Sequence, residues 1–340
     1  MRPTELKRPP ESAPVPAEGR PRTRFRILSL DGGGYKGMFS AAILDRLAVD
    51  LGIELLSSFD LLAGTSTGAI IALGLAAGLT PAELLGFYVD RGPAIFSDRR
   101  VRAPRRLVRS KYSPVALTTA LQEVLGDRTL AESPIPLLIP AYDLCNDDVH
   151  LFRTPHAARL RRDGRERMVD VALASTAAPT FFPAHPLRGL RLVDGGVWAN
   201  NPSMLAIVEA LTVFERPLED IMVISIGTTV ETRRRHPCLD RGGLAQWARS
   251  AAELVIHGQS LSASNHAGLL LGAERYLRVN PSVPAGELRL DKLSSSQLLG
   301  RAEHESRRIS PTVSRMLAAA QPNPQTTIPG GIPCSIQHQR

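Results

Sequence analysis

Cysteine is scarce in this sequence: Cys145, Cys238 and Cys334 are the three in 340 residues, and no two sit at metal-ligand spacing. No disulfide framework or cysteine-built metal site is implied, and the usage suits a reducing cytoplasm. Long apolar runs are lacking too. The longest candidate, 69–79, falls short of the roughly 20 residues that span a bilayer, so any meeting with a membrane is expected at its surface. Residues 1–24, rich in Pro, Arg and Glu, have no apolar core of signal-peptide length and read as a disordered basic leader. Residues 321–340 read as a flexible tail, which leaves 25–320 as one domain. Acid is in shorter supply than base: 33 Asp and Glu face 41 Lys and Arg, a formal charge of +8. That balance favours anionic partners such as phospholipid headgroups, nucleotides or nucleic acid. Aromatics make up only 5%, and no recognition fold or aromatic interleaving accompanies the charge, so nucleic acid is not expected.

What the chain does have is glycine-punctuated strand–helix pattern. The run 25–30 (Phe-Arg-Ile-Leu-Ser-Leu) reads as a buried strand entering Asp31-Gly32-Gly33-Gly34-Tyr35-Lys36-Gly37, and apolar residues then recur at helical spacing over 38–51. A second strand at 59–63 runs into Gly64-Thr65-Ser66-Thr67-Gly68 and an apolar helix over 69–77. Two consecutive strand–helix units of this kind give parallel strands whose following loops gather on one sheet edge. The glycine loop and Ser66 should therefore be neighbours. Later strands are expected at 136–142, 149–152, 190–193 and 221–227, and helices at 114–125, 168–175, 204–211 and 243–262.

Gly64-Thr65-Ser66-Thr67-Gly68 matches G-x-S-x-G between strand and helix, the setting of a nucleophile elbow; the glycines relieve crowding in a turn that pushes the serine outward. Gly32, Gly34 and Gly37 also fit G-x-G-x-x-G, a dinucleotide fingerprint. That reading wants an acid closing the second strand, whereas Glu54 precedes it and Asp60 opens it. The better reading is an oxyanion hole, with the backbone N–H groups of Gly33 and Gly34 aimed at an ester oxygen; a phosphate cradle and a plain turn stay open. Lys36 either steadies the loop, faces a lipid phosphate or lies in solvent. Asp194-Gly195-Gly196 ends a strand where parallel-sheet sites are built. Ser66 needs a base. A triad through Asp194 and His257 or His266 is one route; a dyad, in which the Asp194 carboxylate takes the serine proton directly, is the other.

In this order the three motifs at 31–37, 64–68 and 194–196 resemble the patatin-like phospholipase family, over roughly 25–230. The resemblance implies an α/β fold, three-layer α/β/α with a mostly parallel central sheet. It also implies a histidine-free dyad of Ser66 and Asp194, an oxyanion hole at Gly32, Gly33 and Gly34, and supporting glycines at Gly37, Gly64, Gly68, Gly195 and Gly196. The activity implied is calcium-independent deacylation of glycerophospholipids, with no metal and no cofactor. A non-phospholipid esterase and a nucleotide-binding protein are the alternatives. Segments such as Lys111-Tyr112-Ser113, Gly126-Asp127-Arg128-Thr129-Leu130 and Ser175-Thr176-Ala177-Ala178-Pro179-Thr180-Phe181-Phe182 look like those of bacterial patatin-like effectors of antiphage defence. That narrower likeness implies a cyclic dinucleotide activator, a membrane phospholipid substrate, homo-oligomerisation on activation, and a cytoplasmic protein acting peripherally at the inner membrane. Arg99, Arg100, Arg102, Arg105, Arg106, Arg109 and Lys111, with no acid among them, could dock lipid headgroups, bind a cyclic nucleotide's phosphates or simply be solvated. Phe181, Phe182 and Pro183 either line an acyl channel or pack in the core.

Overall fold

The structure, a computed structural model, describes residues 24–96, 110–232, 237–243, 247, 251–284 and 295–318. The leader at 1–23, the basic residues Arg99–Arg109 and the tail at 321–340 lie outside the described residues. In chain order the elements are β1 (Phe25–Leu30), α1 (Gly37–Leu51), β2 (Leu61–Gly64), α2 (Thr67–Ala76), α3 (Pro81–Ile95) and α4 (Val115–Leu125). Then come β3 (Leu137–Asp143), β4 (Asp148–Arg153), α5 (Met168–Thr176), β5 (His185–Leu187), β6 (Leu190–Asp194), α6 (Gly196–Ala199) and α7 (Ser203–Thr212). The last are β7 (Ile221–Ile226), β8 (Val230–Thr232), α8 (Ala251–Leu271), β9 (Tyr276–Val279), β10 (Ser282–Pro284) and α9 (Ser295–Ala318).

The main sheet runs β5-β6-β3-β2-β1-β7-β9, with β4 also on β3. β3-β2-β1-β7-β9 are parallel, while β4 and β6 pair antiparallel with β3, and β5 with β6. β1 explains the layering. All six of its residues are buried, as a central parallel strand requires. Side chains alternate across a strand: Phe25 and Ile27 enter one apolar cluster with Ala206, Ile207 and Ala210 of α7 and Ala267 and Leu271 of α8, while Leu28 and Leu30 enter the other with α1, α2 and α5. The result is the three-layer α/β/α sandwich, its central sheet mostly parallel. α2 lies wholly inside, every one of its residues buried, which its lack of any charged or strongly polar side chain permits.

The strand pairings around β3 set up the site. β4 occupies one edge of β3 from Leu138 to Asp143. A strand has two edges, so β2, paired at Leu137 and Leu138, and β6, paired at Ala141 to Asp143, must share the other. They run in opposite directions and point at each other end to end, across a gap opposite Ile139 and Pro140. Proline, which cannot donate to a ladder, is at home where there is no ladder partner.

Several elements depart from the sequence reading. The second strand begins at Leu61, because Phe59 terminates a short 3-10 turn. The helix expected at 243–262 is described from Ala251 to Leu271. α3 and α9 were not anticipated: α3 holds Pro93 and two glycines, and α9 holds Pro311, residues that interrupt a helical pattern. α3 starts cleanly all the same, with Pro81 in its first turn and a capping box between Thr80 and Glu83.

Candidate active site

Ser66 occupies the turn between β2 and α2 at φ 54 and ψ −118, a left-handed conformation costly for a residue with a side chain. The surroundings impose it. A Cβ on Gly64 would lie 2.3 Å from the Gly68 carbonyl oxygen, and one on Gly68 would lie 2.2 Å from that of Leu30, so β1, β2 and α2 close on one another with no room for side chains. Gly37 abuts the Thr67 side chain, and Gly195 abuts the Pro140 carbonyl. Each flanking threonine is tied down: Thr65 Oγ1 donates to the Ala199 carbonyl at 2.6 Å, and the Thr67 hydroxyl shares a 2.5 Å hydrogen bond with that of Tyr88. Ser66 N–H donates to Ser175 Oγ at 3.0 Å, and Ser175 donates to the Pro140 carbonyl at 2.7 Å. Ser175 thus fills the gap between β2 and β6.

Asp194 arrives from the opposite side of that gap. Ser66 Oγ donates to Asp194 Oδ2 at 2.6 Å, across 128 positions of sequence. The other carboxylate oxygen accepts the Gly196 N–H at 2.7 Å, and Asp194 N–H is held by the Ala177 carbonyl at 3.1 Å. Burial pushes the Asp194 carboxyl up to about 6, against the opposing pull of its hydrogen bonds from Ser66 and Gly196. Among the described residues no histidine is hydrogen-bonded to either side chain. His257 is half-buried on α8, and His266 is exposed and turned to Ser262. Neither candidate histidine of the triad alternative is therefore in place.

The glycine loop after β1 lies against the elbow; a Cβ on Gly32 would come within 3.2 Å of Ser66 Cβ. Gly32 N–H donates to the Asn200 carbonyl at 3.0 Å. Among the described residues no acceptor takes the N–H of Gly33 or Gly34, and both are partly exposed. Asp31 anchors the loop from below: its two carboxylate oxygens take the two terminal nitrogens of Arg278 on β9, one at 2.8 Å and one at 2.5 Å. Lys36 turns to the Thr229 carbonyl at 3.1 Å, and so steadies the loop. Asp60 accepts the backbone N–H of Arg26 at 2.7 Å and its Nε at 3.2 Å, and it precedes β2 at the end of that strand opposite the glycine loop. Among the described residues no group of three or more His, Cys, Asp or Glu could hold a metal ion.

Ser175, Asn200, Gln259 and Arg278 support the site, and the sequence reading assigned them no role. Gln259 on α8 donates to the Gly196 carbonyl at 2.9 Å and accepts from Asn200 N–H at 3.3 Å, clasping α6 behind the acid. Ser175 and Asn200 at least lay inside conspicuous segments. Arg278, on a short edge strand, carried no signal.

The chain is similar to known proteins along most of its length. The profile described as patatin-like phospholipase matches residues 28–207. A protein of Pseudomonas aeruginosa named cGAMP-activated phospholipase is 33% identical over 84% of this chain and 88% of its own. One of the same name from Escherichia coli is 32% identical over 82% and 86%. The rice protein named patatin-like protein 2 is 30% identical over 74% and 75%.

Proposed function

The chain belongs to the patatin-like phospholipase family and is a lipid acyl hydrolase, and from that premise we propose that Ser66 is its nucleophile and Asp194 its sole proton acceptor. The observation that carries the proposal is the 2.6 Å hydrogen bond between a serine held at φ 54 and a buried carboxylate. Ser66 Oγ attacks the ester carbonyl carbon while its proton passes to Asp194 Oδ2. Charge moves onto the carbonyl oxygen, where the free N–H groups of Gly33 and Gly34 and the first turn of α2 stabilise it. Collapse breaks the bond to the glycerol oxygen, which leaves with the proton that Asp194 returns. Water then attacks the acyl-serine, giving its proton to Asp194, and the fatty acid departs as Ser66 recovers its hydrogen. A carboxyl near 6 suits both halves of the cycle: it is ionised at neutral pH yet basic enough to take a proton.

Two further features rest on the relatives. Both bacterial ones are named for activation by cGAMP and match along most of their length, which supports a cyclic dinucleotide as activator and membrane phospholipid as substrate. The chain would then be a membrane-degrading effector of antiphage defence, working from the bilayer surface; among the described residues no helix is long and apolar enough to cross a membrane. The test is fatty-acid release from phospholipid vesicles with and without cyclic GMP–AMP. The native chain should release fatty acid, more with the nucleotide, and Ser66→Ala and Asp194→Ala should each lose at least about a thousandfold in rate. Activity surviving either substitution overturns the dyad.

A further inference from the structure

Two stretches without a single acidic residue, 110–122 and 171–193, meet beside the site. The N–H groups of Lys111 and Tyr112 donate to the carbonyls of Thr180 and Phe181 at 2.9 and 2.8 Å, stitching the chain that enters α4 to the turn that leaves α5. That turn also supplies the Ala177 carbonyl that holds Asp194, and Ser175, which holds Ser66, closes α5 just before it. Behind the stitch stands an aromatic wall. Tyr35, next to Gly34, packs on Phe96 at 5.8 Å between ring centres, and Phe96 packs on Tyr112 at 5.8 Å and on Phe182 at 6.5 Å. Phe182 is buried in this wall, and with Pro183 it also lines a small cavity beside Ala177. The lip is rigidly joined to the glycine loop on one side and to the acid on the other.

Its outward side combines cation and grease. The Lys111 ammonium lies 4.8 Å from the centre of the Tyr112 ring and 5.9 Å from that of the half-buried Phe181. Pro179 and Pro183 are exposed, and Val115 is 67% exposed. The β3–β4 hairpin, by contrast, carries Asp143, Asp147 and Asp148. We propose that the lip formed by Lys111, Val115, Pro179, Phe181 and Pro183 is a docking surface for an anionic lipid bilayer, one that seats the catalytic opening on its substrate. The inference rests on the phospholipase reading. Rings at headgroup depth, an ammonium at the phosphates and small apolar contacts between them are the components that hold a protein at a membrane interface.

Binding can be measured apart from turnover by using the full chain carrying Ser66→Ala, with and without cyclic GMP–AMP. It should sediment with vesicles containing phosphatidylglycerol and far less with pure phosphatidylcholine. Adding Lys111→Glu should lower the bound fraction about fivefold or more, and Val115→Glu, at a side chain outside the core, should do likewise. With Ser66 restored, the same two variants should keep hydrolysis of a water-soluble short-chain ester while losing hydrolysis of vesicles. No binding to phosphatidylglycerol vesicles, or binding unchanged by both substitutions, overturns the docking surface. Absence of ester hydrolysis by the unsubstituted chain would instead overturn the dyad and leave the binding result standing.

Discussion

The serine elbow and the glycine loop lie side by side at the ends of β2 and β1, and they are held by opposite means. The elbow is jammed: three backbone segments press together around Gly64 and Gly68, and the positive φ of Ser66 has nowhere to relax. The glycine loop is tethered instead, by Arg278 from β9, by the Asn200 carbonyl and by Lys36 reaching to Thr229. The difference follows from what each part must do. A nucleophile has to be fixed against its acid to a fraction of an ångström, whereas an oxyanion site must keep N–H groups unpaired and open to an incoming ligand, which backbone packing would fill.

Substitutions can break this contrast from either side. Gly68→Ala should have the largest effect, because a methyl group would collide with backbone rather than with a side chain that can turn aside. Activity should disappear and stability should fall by about 3 kcal/mol, read by thermal unfolding. Arg278→Met should remove the tether, together with a 2.8 Å hydrogen bond to Ser225: kcat drops about a hundredfold with KM little changed, and Arg278→Lys recovers part of it. Equal losses in kcat and KM would show that the loop is not aimed by that pair.

Asp194 sharpens the comparison, since it couples the elbow's rigidity to pH. Its carboxyl is raised from 3.8 to about 6, so kcat/KM should fall about tenfold for each pH step below 6 and level off above it. The same elevation means that the folded chain binds the proton more tightly than the unfolded one. Stability is therefore greatest at low pH with respect to this group, declines between about 4 and 6, and stays reduced by at most about 3 kcal/mol at pH 7. Asp194→Asn should accordingly be inactive yet melt at a higher temperature than the native chain at pH 7, and at nearly the same temperature at pH 4.

The elbow was legible in sequence because its causes are local: a strand, two glycines around a serine, then an uncharged helix. The nearness of the glycine loop followed from the rule that successive parallel units crowd their loops on one edge. Asp194 was found by its motif, but its approach was not, because strand direction depends on pairing and β6 turns out to run antiparallel to β3. The hydrogen bond of Gly32 N–H was hidden for a related reason: its partner is the backbone of Asn200, 168 positions away in sequence, and no residue type announces a carbonyl. Arg278 was beyond reach for the same cause, being one arginine in a strongly basic chain until β9 docks on β7 and brings it beneath Asp31.

β3 works as a ruler for the site. The separation of the Ser66 hydroxyl and the Asp194 carboxylate is measured out by the residues left bare between the footings of β2 and β6, and not by any loop that links them. The hairpin at Arg188 and Gly189 can therefore lengthen or change shape without moving the acid, whereas a one-residue slip of either strand along β3 would turn its side chains to the wrong face of the sheet. Variation in this enzyme should collect in its turns, while the register along Leu137 to Asp143 stays as it is.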